Sequence, residues 1–141
     1  MTAKEYLNRI RFISVGLRVK EQELQQLESD LYTIHSVDTS RERIDGGIPV
    51  SMADKVARIR DMQIVINKEW DQLLDLRKEA RERIMQLEDG RFRAVLTERY
   101  LNNKRWEQIA VDMNYTYRNV LYLHGKALQE FGKTFHRFSH S

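Results

Sequence analysis

The chain has 141 residues, enough for one ordinary domain or a small domain with an extended appendage. It contains no cysteine, which excludes disulfides, thiolate nucleophiles and cysteine-ligated zinc and fits a reducing compartment. No apolar run approaches the roughly 20 residues needed to cross a bilayer, and the first eleven residues lack a signal peptide's apolar segment, so a soluble cytoplasmic protein without membrane contact is expected.

The formal net charge of +3 hides a segregation. Residues 90–141 carry nine basic side chains against four acidic ones, while the residues before them carry fifteen basic and seventeen acidic. A basic module carried on a near-neutral scaffold is the pattern of a protein that meets polyanions. A single proline and helical spacing of Leu, Ile and Val favour helix throughout, so the fold class expected is all-α.

From Ala3 to Ile34 the apolar residues keep a seven-residue register. Ala3, Ile10, Leu17, Leu24 and Leu31 form one row, and Tyr6, Ile13, Leu27 and Ile34 the other; Lys20 breaks it. A sustained heptad predicts a long helix whose narrow seam packs on another helix, on the order of 50 Å from end to end. Thr2 with Glu5 three positions later supplies a capping box at its start. Residues 35–50 lose the register and gather Asp38, Thr39, Ser40, Asp45, Gly46, Gly47 and Pro49, the composition of a bend.

Ser51 is then placed to cap a second long helix, with Asp54 near the positive end of its dipole. Its stripe runs Met52, Val56, Ile59, Met62, Ile66, Trp70, Leu73, Ala80, Ile84 and Leu87. Two such helices are expected to fold back as a coiled-coil-like antiparallel hairpin over residues 1–89. Two helices alone bury little, so either a second copy or the C-terminal module is expected to cover the remaining apolar surface, and of these a homodimer through the hairpin is the one expected.

After the Asp89-Gly90 break, Phe92, Val95, Leu96 and Leu101 begin a third helix that fades at Asn102-Asn103. Trp106, Ile109, Ala110 and Met113 then mark one face of a two-turn helix. Asn114 and Tyr115 make the turn, asparagine being tolerant of positive φ, and Thr116 caps the last helix. Residues 90–135 therefore read as a three-helix head containing a helix-turn-helix, followed by a disordered tail over 136–141.

On a helical wheel, Val120, Leu123, Ala127 and Phe131 share the core side of the last helix, opposite Arg118, Tyr122, Gly125 and Gln129. Glycine inside a helix costs about 1 kcal/mol relative to alanine, and a surface approaching a phosphate backbone would account both for it and for an exposed tyrosine. Arg118 is placed for guanine edges, and Asn119 for the bidentate contact to adenine. Trp106, Phe92 and Tyr100 are expected in the core; Tyr117 and Tyr122 are expected outside it, and Tyr115 is left open between the two.

From about residue 87 to 131 the sequence resembles the fourth region of the bacterial primary sigma factors. The resemblance is carried by Val95-Leu96, Arg99-Tyr100, Ile109-Ala110, Thr116, Val120 and Ala127-Leu128, with no gap from Trp106 to Phe131. With its long helical N-terminal part, the whole chain is similar to small prophage-encoded sigma-like regulators of Gram-positive bacteria, the group of ArpU-type and RinA-type late transcription activators. That resemblance implies base contacts from Tyr117, Arg118, Asn119, Leu121 and Tyr122. Arg99, Lys104, Arg105, Thr116 and Lys126 are the phosphate-binding candidates.

Two departures stand out. The window carries only Arg118 as a charge, so a promoter −35 element is not the expected target, and the helix at Trp106 lacks a threonine cap, leaving Asn103 or backbone geometry to supply it.

Catalysis is not expected. His35, His124, His136 and His140 are scattered without metal-ligand spacing, the carboxylates sit at surface spacing on long helices, and Asp45-Gly46-Gly47 lacks the lysine of a phosphate loop. No metal, cofactor or small-molecule substrate is implied. The expected function is a sequence-specific regulator that binds double-stranded DNA and controls phage or prophage genes. The competing reading is an adaptor whose hairpin and sigma-like head bind RNA polymerase or a phage protein without reading DNA.

Overall fold

The computed structural model describes residues 1–40 and 50–139, and within them everything regular is helical. Two long helices, α1 (Ala3–Ser40) and α2 (Val50–Ile84), precede α3 (Gly90–Leu96), a π-helical turn (Thr97–Leu101), α4 (Trp106–Met113) and α5 (Tyr117–Ser139). The expected capping box at the start of α1 is present. The Thr2 amide donates to Glu5 Oε2 at 3.0 Å and the Glu5 amide to Thr2 Oγ1 at 3.1 Å, which satisfies two of the amides a helix start leaves without partners.

Three boundaries differ from expectation. α1 continues to Ser40, past the end of its apolar register at Ile34; α2 already includes Ser51 in its first turn; and α5 runs on to Ser139, beyond the end expected at Phe135. Helix propensity carries an existing helix past its apolar register, because each added residue brings a backbone hydrogen bond without a new nucleation cost. The turn expected around Asp45, Gly46, Gly47 and Pro49 lies outside the described residues.

Packing divides the chain into two compact units, Met1–Ser14 with Leu73–Ser141, and Val15–Gln72. In the second unit Lys20 Nζ pairs with Glu69 at 2.7 Å, the Trp70 indole donates to Glu21, and Gln63 Nε2 donates to Glu28 at 3.0 Å. From Lys20–Glu69 to Glu28–Gln63 the partners ascend α1 and descend α2, so the two segments run antiparallel. Leu17, Met52 and Ile66 are buried there, whereas Leu24, Leu27, Leu31, Ile59 and Met62 are only half-buried. Lys20, the break in the heptad, is tolerated because its long stem follows the helix surface and delivers the charge to Glu69.

The first unit holds the dense core. Leu7 and Ile10 of α1, Leu73, Ala80 and Ile84 of α2, Val95 and Leu96 of α3, Ile109 of α4, and Val120, Ala127 and Phe131 of α5 are all fully shielded from water. Each such large side chain contributes about 1.5–3 kcal/mol of transfer free energy. Tyr6 stacks on Phe131 with centroids 6.3 Å apart, and Arg83 lies 5.0 Å above the Tyr6 ring. Burial, with Glu79 beside it, pushes the Tyr6 phenol up to about 12.

The π-helical turn was not expected. Asn102 donates to the Thr97 carbonyl at 2.9 Å, a five-residue step that adds one residue to the turn. Its consequence is visible in the core: Val95 and Tyr100, and likewise Leu96 and Leu101, stand five apart, a spacing that would put them on different faces of an α-helix, yet all are buried.

Candidate nucleic-acid interface

The local structure that presents α5 is built by short-range chemistry. Asp89 caps α3, accepting from the Arg91 amide at 2.8 Å, and its carboxyl is held below the usual range by the Arg91 side chain. α4 ends on Asn114 at φ 59 and ψ 42, the left-handed conformation expected of it. The Tyr115 amide reaches back to the Ala110 carbonyl at 2.9 Å and the Asn114 amide to Val111 at 3.1 Å, which satisfies the last carbonyls of α4 in a Schellman arrangement. Thr116 then caps α5, accepting from the Asn119 amide at 3.1 Å. Three residues therefore separate two well-terminated helices.

The start of α4 is capped differently. Arg105 occupies the N-cap with extended backbone and no side-chain bond, and Asn103 contributes a positive φ of 56 while its Oδ1 accepts no hydrogen bond. Asn103 is thus not the cap. The Lys104 amide instead donates to the Glu98 carbonyl at 3.0 Å, so backbone geometry fixes the entry to the helix.

α3 and α4 both pack on α5, and the core side of the wheel is as expected: Val120, Leu123, Ala127 and Phe131 are buried. On the outer side Arg118 and Asn119 are exposed, with Tyr117 at 47%, Leu121 at 39% and Tyr122 at 63%. Arg118 makes no ion pair among the described residues. A Cβ added at Gly125 would meet nothing within 4 Å, so no neighbour inside the chain calls for glycine there. Tyr115 is half-buried, Tyr100 is buried, and Phe92 and Trp106 are half-buried.

The phosphate-binding candidates separate into two groups. Lys104 is clamped by Asp112 at 2.8 Å and by Glu98, which raise the ammonium above its ordinary range. Arg99 donates to the Lys104 carbonyl at 3.0 Å and lies 4.3 Å over the Trp106 ring, and burial lowers it from its ordinary value. These two cations hold the α3–α4 connection together. Arg105 and Lys126 are exposed, the latter 5.2 Å above the Tyr122 ring, and Thr116 is engaged as the cap.

Sequence reasoning passed over His124 as one of four scattered histidines. It is the inner member of a cluster: Nε2 lies 2.7 Å from the Tyr100 hydroxyl, and its ring meets Trp106 edge-on at 4.5 Å. Burial, aided by the positive charges of Lys4 and Arg99, pushes it down to about 4, so the ring is neutral at pH 7. The available signal was its wheel position, one residue from Leu123 on the edge of the core side. Among the described residues no group of acidic and histidine side chains is placed to hold a metal, and no helix is long and apolar enough to cross a membrane. No protein-family model, curated protein or solved structure matches the chain, so the sigma-like resemblance rests on its own residues.

Proposed function

We propose that the chain is a sequence-specific regulator that reads duplex DNA with the first turns of α5, the Trp106–Met113 and Tyr117–Ser139 helices acting as a helix-turn-helix. The observation that carries the reading is the outer side of α5. It offers an arginine with no ion pair among the described residues, an exposed asparagine, a tyrosine and a glycine with open space beside it, a set that a solvated surface does not call for and a groove does. Arg118 reads guanine and Asn119 adenine, with Tyr117, Leu121 and Tyr122 completing the base-facing surface. Arg105, Thr116 and Lys126 take phosphates. Arg99 and Lys104 contribute to this face by holding the helices that present it.

The long helices serve as the dimerisation region, joined as a hairpin. Val15, Val19, Ile64 and Val65 in the Val15–Gln72 unit are exposed apolar side chains that a second copy would cover. A dimer presents two recognition helices, and so favours paired half-sites one helical turn apart or a multiple of it. The resemblance to prophage-encoded regulators makes phage or prophage genes the proposed targets.

Selection of bound sequences from a random duplex pool, repeated with Arg118→Ala, tests the reading. Wild type should enrich a motif containing guanine, and the variant should lose preference there by about 1–3 kcal/mol while keeping its non-specific affinity. Failure of the wild type to enrich any sequence, combined with capture of RNA polymerase through the same face, would establish the adaptor reading instead.

A further inference from the structure

Among the hydrogen-bonding groups on the outer side of α5, Arg118, Asn119 and Tyr122, stands one aliphatic side chain, Leu121. Leu121 stands about 60° around the helix from Arg118, and because helical side chains lean toward the N-terminus its aliphatic end lies over the turn that carries Arg118. At 39% exposure it is neither a core residue nor a solubilising one, and Tyr122, at 63%, continues the apolar surface next to it. The apolar group that a major groove offers is the C5 methyl of thymine.

We propose that Leu121, flanked by Tyr122, recognises a thymine C5 methyl lying within one or two base pairs of the guanine held by Arg118. The inference rests on the DNA-reading function proposed above. The spacing follows from helix geometry. Three residues rise about 4.5 Å along α5, against roughly 3.4 Å between successive base pairs, so adjacent contacts on the helix fall on adjacent or next-adjacent pairs. Two flanking cations, Arg105 and Lys126, supply the phosphate attraction that a leucine cannot, which leaves the base-facing surface free to be apolar.

The test uses the full chain and the duplex it enriches from a random pool, resynthesised with deoxyuridine replacing each thymine in turn. Deoxyuridine removes the methyl and leaves every hydrogen-bonding group in place. Affinity should fall about fourfold at a thymine within two pairs of the guanine that Arg118→Ala ceases to prefer. Leu121→Ala, with its thermal midpoint checked, should bind the thymine duplex as wild type binds the deoxyuridine one and lose nothing further on the latter.

Unchanged affinity at every replaced thymine, or an enriched site with no thymine near that guanine, overturns the methyl contact while leaving DNA reading intact. Failure to retain any duplex at low salt overturns both.

Discussion

The two compact units differ in how completely they bury their apolar residues. In the unit made of Met1–Ser14 and Leu73–Ser141, contributions from five helices close over one core and seal large side chains from each of them, Leu7, Leu73, Leu96, Ile109 and Phe131 among them. In Val15–Gln72 two antiparallel segments share a narrow seam, and most of the heptad residues stay half-wet. A single layer of two helices cannot surround its own apolar stripe, whereas a head of several helices can. Stability that is intrinsic to the chain therefore belongs to the first unit, and the second depends on what covers it.

The largest effect should come from the centre of the sealed core. Phe131→Ala removes a fully buried ring stacked on Tyr6, and is expected to cost about 3–5 kcal/mol in urea unfolding. A loss below 1 kcal/mol would show that this core is not what holds the head.

Acid should act on the same unit. His124 has a folded pKa of about 4, below its ordinary 6.5, so the unfolded chain binds the proton more tightly. Stability is complete above pH 6.5 and declines as pH falls toward 4, by about 2 kcal/mol once partial solvent access is allowed for. Urea midpoints at pH 7 and 4.5 measure the decline, and His124→Gln should reduce it; an equal slope in the variant would place the acid sensitivity elsewhere.

Gly125→Ala separates folding from binding. With no neighbour within 4 Å of the added methyl, the variant should be more stable by about 1 kcal/mol. Duplex affinity should drop severalfold if a phosphate backbone approaches there. A variant that gains stability and keeps its affinity would remove the reason given for the glycine.

The smallest change is expected in the other unit. Lys20→Leu forfeits an exposed pair with Glu69, within about 1 kcal/mol, while continuing the apolar register; sedimentation should show tighter self-association. Weaker association would argue that Lys20 helps to specify the partner.

Much of this architecture was legible because it depends on local rules. The Thr2–Glu5 box, the Asn114 left-handed turn, the Thr116 cap and the core side of α5 each follow from a few neighbouring residues and a 3.6-residue period. The π turn escaped that reading because an α-helical period was imposed on a five-residue spacing. The roles of Lys104, Arg99 and His124 escaped it for a different reason: their partners, Asp112, Trp106 and Tyr100, come from other turns or helices, and sequence spacing does not show which side chains meet. The helix ends at Ser40 and Ser139 lie beyond the apolar registers that defined the expected boundaries.

The most direct measurement is the anisotropy of a labelled duplex titrated with the full chain at 50 and 200 mM salt. Two exposed cations, Arg105 and Lys126, from each of two protomers would release about four counterions, so affinity should fall on the order of 100-fold between those concentrations. Absence of binding at 50 mM salt, with the chain folded and associated, would contradict the account.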